Sequence, residues 1–336
     1  MEFAVSDRDS LRFLAHSYYF SCALFVAVRL DLAGALADEP KSASRLAREL
    51  GTNSDVTVRF LQFLASIGVL IEDQRHRFAL SNTGQYLRMD HANSIAKEIS
   101  MFSGGEVYRA WGELLQTIKT GKPAFEILNG EPLFSYLAGH PESAERFHLG
   151  WQEISVKVGK EVVEVYDFTT VKTVTDVGGG YGIFLATILQ HLKNLDGVLF
   201  DLPFSVRGAE ETFRKWGVED HVTVLTGNAE DHVPPTQLCI LKSVIHGCVD
   251  ERAQRILSNC FEALPADGKI LLLERVIPEN SGYHWSRLVD MTMMVMTGGM
   301  ERSLEQYETM YARSGFRLSR CLDLPSGFSI IEGSKT

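Results

Sequence analysis

The stretch from Val171 to Pro203, VKTVTDVGGGYGIFLATILQHLKNLDGVLFDLP, constrains the chain more than any other. It opens on an alternating, β-branched run (Val171, Thr173, Val174, Val177) that predicts a strand. Gly178, Gly179, Gly180 and Gly182 follow at once, and an apolar helical run covers Ile183 to Leu192. Glycines let a backbone approach a ligand where any Cβ would clash. A second strand, Gly197 to Phe200, ends at Asp201, 19 residues after Gly182. An acidic side chain at that distance, at a strand's carboxyl end, suits a hydrogen bond to a ribose diol. Strand, glycine turn, helix and acidic residue together read as a nucleotide-cofactor site on an α/β fold.

Downstream, strands alternate with helices, as a parallel sheet covered on both faces requires. Strands are expected near 171–177, 197–200, 222–226, 237–243 and 269–276. A closing pair near 318–322 and 328–332 follows a helix over Leu304–Ser314, which Gly315 would end. Ligands of such sheets bind beyond the carboxyl ends of the strands, so the residues there are the candidates for chemistry. They are the glycines, Asp201, Asn228 with Ala229 (able to frame an adenine), Lys242 and His246 in LKSVIHG, and Glu274 in KILLLERVIP. A methionine-rich helix (Met291, Met293, Met294, Met296) leads on to Gly298-Gly299-Met300-Glu301-Arg302. One histidine and two carboxylates can make a general base, with one carboxylate fixing the imidazole tautomer. A local Glu301–Arg302 ion pair is the plainer alternative.

Upstream, Ser10–Leu36 is apolar nearly all round, as a core helix or a subunit interface would be. Helical patterns at 42–50 and 54–70 precede strands at Val69–Glu72 and Phe78–Leu80, turned at Asp73–His76. Helices followed by a β-ribbon make a winged helix. Its candidate recognition helix offers Arg59 as its one cation, and the wing adds Arg75 and Arg77. That is too little for the phosphate contacts that dominate DNA affinity. The net charge of −10 points the same way, so no nucleic-acid partner is expected and the module reads as a dimerisation or scaffolding domain. Between 95 and 165 the pattern is helical, with turns at Gly104–Gly105, Gly121–Pro123, Gly130 and Gly139–Pro141. Phe147, Trp151 and Ile154 share one helix face there, as a packed core or a lid over an aromatic ligand would have it.

The five cysteines show no metal-ligand spacing and read as thiols in a reducing compartment. No secretory leader and no uncharged apolar run of membrane-spanning length is evident. The expectations are a cytoplasmic protein, no membrane partner and no metal.

The motifs DVGGGYG, FDLP, GN, LKSVIH, LLLERVIP and GGMERS, in that order, resemble the S-adenosylmethionine-dependent small-molecule O-methyltransferases of the caffeate, hydroxyindole and anthracycline type. RLDLAGALADEPKSASRLARELG, FLASIGVL and LSNTGQYL resemble the same family's N-terminal dimerisation domain. The resemblance implies a Rossmann-like doubly wound sheet of the class I methyltransferase type, preceded by an all-helical, winged-helix dimerisation domain. The expected organisation is 1–95 for dimerisation, 96–165 as helical linker or substrate lid, and 166–336 as the catalytic domain.

The resemblance also implies roles. Gly178, Gly180 and Gly182 would line the methionine and ribose side of S-adenosylmethionine, with Asp201 on the ribose hydroxyls and Leu202 beside the adenine. Asn228 and Ala229 would flank the adenine, Lys242 would lie near the carboxylate or ribose end, and Ser155 would touch the cofactor. His246 would be the catalytic base, held by Glu274 and Glu301. Trp151, Met293 and Met296 would fall in the pocket for an aromatic substrate, and S-adenosylhomocysteine would be the second product. Two departures stand out. His246-Gly247-Cys248 replaces the family's His-Asp-Trp, and Asn228 replaces an Asp. The expected activity is methylation of a phenolic hydroxyl of an aromatic secondary metabolite by a homodimer. The alternatives are N- or C-methylation, a pericyclic or hydroxylating relative that keeps the cofactor, and a winged-helix regulator that senses a small molecule.

Overall fold

In a computed structural model, residues 6–280 and 282–335 are described, and they fall into two compact units. The first holds the described residues up to Tyr108 together with Leu149–Glu153; the second holds Arg109–His148 and the described residues from Ile154 onward.

The first unit begins with helices Arg8–Ala15, Tyr18–Arg29 and Leu32–Ala35. Asp31, in the left-handed region at φ 48°, breaks the second from the third. Helices Ala43–Glu49 and Ser54–Ser66 follow, the latter capped by Asn53, whose side chain accepts from Asp55 N and Val56 N at 3.1 Å. The ribbon Leu70–Glu72 and Arg77–Leu80 turns where Asp73 accepts from the amides of Arg75 and Arg77. A short strand, Lys41–Ser42, adds a third member that the sequence did not suggest. Leu46, Leu61, Leu64 and Phe78 are fully buried at the centre of this winged helix. The N-terminal helices, expected to serve as a core or a subunit interface, bury Ala23, Ala27 and Val28 within the chain, while Leu11 and Phe13 stand 58% and 57% exposed.

The second unit is built on a seven-stranded sheet: β1 (Thr173–Val177), β2 (Asp196–Asp201), β3 (Val222–Thr226), β4 (Leu238–Lys242), β5 (Lys269–Glu274), β6 (Phe316–Asp323) and β7 (Ser329–Lys335). Their order is β3-β2-β1-β4-β5-β7-β6, parallel through β5, with β7 antiparallel to both of its neighbours. β4 and β5 are continuously apolar because helices cover both faces. Leu271 and Leu273 pack with Phe184, Leu185 and Phe213, while Ile270 and Leu272 pack with Ile256, Leu257 and Tyr311. Each such buried side chain contributes about 1.5–3 kcal/mol. The chain crosses the sheet in one direction from β1 and in the other from β4, so the crevice at their carboxyl ends is where a ligand binds.

Helices between 96 and 165 break at the expected glycines, with Gly121 at φ 71° and Gly130 at φ 76°. Those up to Phe102 belong to the first unit, as does the turn at Leu149–Glu153. Helix Leu304–Arg313 opens on a Ser303–Gln306 capping box, and Gly315 follows it at φ 85°.

Candidate active site

The turn after β1 places Gly178, Gly180 and Gly182 at φ 75°, 59° and 72°, where L side chains are strained. Space forbids a side chain as well. A Cβ on Gly178 would lie 2.7 Å from a Val244 methyl, and one on Gly182 would lie 2.3 Å from the Phe213 ring. Asp201, at the end of β2, locks this turn: its Oδ2 accepts from Gly180 N at 2.8 Å and its Oδ1 from Leu202 N at 2.6 Å. Burial pushes the Asp201 carboxyl up from its ordinary pKa.

Asp176, the last but one residue of β1, is buried and its Oδ2 has no hydrogen-bond partner. Burial pushes it up to about 7, against the pull of Lys242. Lys242, at the end of β4, is pushed down to about 8 by burial, against the pull of Asp176 and Glu274. Asn228 and Ala229 follow β3. Asn228 Oδ1 accepts from Glu230 N at 3.0 Å, and Ala229 O accepts from Asn259 at 2.8 Å. Ser155 is buried in helix Gln152–Val165.

Beyond β4 the chain turns through Ser243, at φ 56°, into a short 3-10 helix, Ile245–Gly247, that carries His246. Glu274, the last residue of β5, accepts at Oε1 from the amides of Val244, Ile245 and His246 at 2.9–3.3 Å. Glu301 Oε1 lies 2.7 Å from His246 Nδ1, and Glu274 Oε2 lies 3.6 Å from the same nitrogen. A carboxylate only accepts, so Nδ1 carries the proton and Nε2 keeps its lone pair. Burial opposes the imidazolium, but the charges of Glu274 and Glu301 outweigh it and hold the pKa of His246 above its ordinary value. Burial likewise raises Glu274. One ligand atom from each of these three residues lies within 4.8 Å of the others, as a metal would need. The 2.7 Å contact is a hydrogen-bond length, and three amides already engage Glu274.

Arg302 is not the partner of Glu301. Its guanidinium, 1% exposed, donates to Asp250 at 2.7 and 3.1 Å, to Ile245 O and Met300 O at 3.1 Å, and to Cys248 O at 2.9 Å. It therefore clamps the loop that bears the histidine. Gly299 makes this closeness possible, because a Cβ there would fall 2.1 Å from His246 O. Asp290 Oδ1 accepts from Glu301 N at 2.9 Å, tying the clamp to helix Trp285–Met296. Met293 and Met296 are buried on that helix. Trp151, in the first unit, packs edge-on against Phe102 at 5.9 Å.

Sequence models of known families agree with this geometry. One of the O-methyltransferase domain matches residues 111–317, and one of the O-methyltransferase dimerisation domain matches residues 13–90. The chain belongs to the O-methyltransferase family. This methyltransferase is 36% identical, over 94% of its length, to phenazine O-methyltransferase PhzM of Lysobacter antibioticus, of which it covers 92%. The crystal structure of LaPhzM matches with a TM-score of 0.94 at 35% identity, over 98% of this chain and 99% of that one. NcsB1, an O-methyltransferase from neocarzinostatin biosynthesis solved with S-adenosylmethionine and 2-hydroxy-5-methyl naphthoic acid, matches with a TM-score of 0.85 at 27% identity, over 99% and 100% of the two chains. The protein is an S-adenosylmethionine-dependent enzyme with the class I fold.

The residues at the sheet's edge fit that cofactor. Three left-handed glycines keep the turn's backbone bare for a close approach, Asp201 retains acceptor capacity for a diol, and buried polar atoms beside the turn lack partners. Sequence reasoning about the methyltransferase missed Arg302, Asp250 and Gly299 as one device. The invisible link is the 52-residue gap between Arg302 and Asp250. The Gly298–Gly299 pair beside a buried charge was the one available signal.

Proposed function

We propose that the enzyme methylates a phenolic hydroxyl of an aromatic secondary metabolite, as a homodimer, with His246 as general base. The observation that supports this best is the 2.7 Å contact between His246 Nδ1 and Glu301 Oε1, with Glu274 behind the same nitrogen. Bound S-adenosylmethionine supplies an electrophilic methyl group. As the acceptor oxygen turns on that methyl, its proton moves to His246 Nε2. Glu301 and Glu274 hold the imidazole in the tautomer that leaves Nε2 unprotonated, and their charge stabilises the imidazolium formed. Asp201 holds the ribose diol, and the glycine turn excludes water from the methionine side. Met293 and Met296 offer a pliable wall for a flat ring. The relative named as a phenazine O-methyltransferase and the neighbour solved with 2-hydroxy-5-methyl naphthoic acid support a fused aromatic acceptor.

General-base catalysis typically supplies ~10²–10⁴-fold. His246→Gln is therefore expected to lower S-adenosylhomocysteine formation by about that factor with hydroxylated phenazines and naphthoic acids, while S-adenosylhomocysteine binding stays intact by calorimetry. Unchanged turnover overturns the assignment of the base. Mass spectrometry separates the other readings, since methyl attached to nitrogen or carbon, or cofactor binding with a chemically altered but unmethylated acceptor, would replace the phenolic reading.

A further inference from the structure

His148 lies outside the residues that the family resemblance singles out. It sits near the end of helix Pro141–Gly150, and its side chain is only 9% exposed. The imidazole stacks on the Tyr181 ring at 4.5 Å with an interplanar angle of 20°, and it is flanked by Phe147 and Phe204. It covers the glycine turn itself: a Cβ on Gly180 would fall 2.9 Å from Nδ1 and 3.3 Å from Cε1. Its Nε2 is buried without any hydrogen-bond partner. Buried ring nitrogens are seldom left unpaired, because the desolvation of such a group is not recovered. Asp176 Oδ2, close enough to the neighbouring glycine that a Cβ there would lie 2.3 Å away, is unpaired as well. Two orphaned polar atoms thus flank consecutive glycines, Gly179 and Gly180, of the cofactor turn. One belongs to an acid and the other to an imidazole that can donate. Burial keeps that imidazole neutral, with its pKa pushed down to about 4.

We infer that His148 is a cofactor-binding residue: its Nε2–H donates to the carboxylate at the amino-acid end of S-adenosylmethionine, over the Gly178–Gly182 turn. The group recognised is an α-amino acid carboxylate, and the donor is a neutral imidazole pre-set by stacking on Tyr181. Such a donor suits a sulfonium cofactor, because it adds no positive charge beside the reacting centre. The inference rests on the cofactor and on neither the acceptor nor His246.

Calorimetry on the full chain tests it with two ligands, S-adenosylhomocysteine and 5′-methylthioadenosine, which lacks the amino-acid end. His148→Phe keeps the ring stack and removes the donor. It is expected to weaken S-adenosylhomocysteine binding about tenfold or more, and to leave 5′-methylthioadenosine binding within about twofold. His148→Gln, which restores a donor, is expected to recover part of the loss. Should the variants fail to fold, ¹⁵N-histidine spectra of the unmodified protein take their place. The Nε2–H resonance of His148 should shift with S-adenosylhomocysteine and stay put with 5′-methylthioadenosine. Equal weakening of both ligands, an unchanged S-adenosylhomocysteine affinity, or no shift of that resonance overturns the inference. None of these outcomes bears on whether His246 deprotonates the acceptor.

Discussion

At the scale of the residue, His246 and His148 are both buried imidazoles, and their surroundings drive them in opposite directions. His246 meets two carboxylates that override its burial and raise its pKa; His148 meets only rings and backbone, and burial alone lowers it to about 4. Two pH effects follow. The base role proposed for His246 requires Nε2 to be unprotonated, so turnover is expected to fall as pH drops through a midpoint above the ordinary value of about 6.5, in a steady-state pH–rate profile. His148 binds its proton more readily in the unfolded chain than in the folded one. Its contribution to stability is therefore complete above about 6.5 and is lost as pH falls toward about 4, by at most about 3 kcal/mol. Denaturant unfolding between those limits measures it, and His148→Phe should flatten the dependence. Gly247 carries the departure from the family pattern, yet a Cβ there would meet nothing within 4 Å. Packing does not demand a glycine, so Gly247→Ala is expected to fold with its melting temperature nearly unchanged.

At the scale of the element, the strands were legible because β-branched runs and buried apolar runs have no other home in an α/β chain. Glu274 was legible for the same reason, as an acid at the end of Ile270–Leu273. The clamp was not. Arg302 beside Glu301 looks like a local pair in one dimension, and the sequence holds no record that Asp250 and the carbonyls of Ile245 and Cys248 take the guanidinium instead. His148 escaped notice because the helical face counted through Phe147, Trp151 and Ile154 passes it by. The N-terminal helices left two readings open, core or subunit interface, because periodicity reports which faces are apolar and says nothing of what covers them. Gly299→Ala tests the clamp directly. Its methyl has no room beside His246 O, so a loss of about 2 kcal/mol or more in stability is expected, with reduced turnover in whatever folds. Arg302→Met leaves the carbonyls of Ile245, Met300 and Cys248 without their donor and should cost about 1–3 kcal/mol in denaturant unfolding.

At the scale of the whole molecule, the apolar surface of the first helices calls for a cover. Leu11, Phe13, Tyr18 and Tyr19 are exposed, the last three within the segment that matches a dimerisation domain from residue 13 onward. Within Arg8–Arg29, an 18-residue window reaches a mean hydropathy of 1.3 and is 17% buried. A second copy is the expected cover. Phe13→Asp together with Leu11→Asp is predicted to shift the protein from dimer to monomer in sedimentation, and to remove the dependence of its melting temperature on concentration.

The stretch from Trp285 to Arg302 joins two devices in one unbroken length of chain. Its first half is the helix with Met293 and Met296, and its second half supplies Gly299, Glu301 and Arg302 to the histidine loop. In recombination between relatives, these travel as a single inheritable block. With the roles proposed above for Met293, Met296 and His246, a crossover on either side of the block delivers an acceptor wall together with the means of holding the base. One that falls between Met296 and Gly299 joins a wall from one parent to a clamp from the other, linked through Asp290 and Glu301 N. New acceptor preferences in this lineage should therefore be acquired most readily by exchange of the whole block or by point changes within the helix.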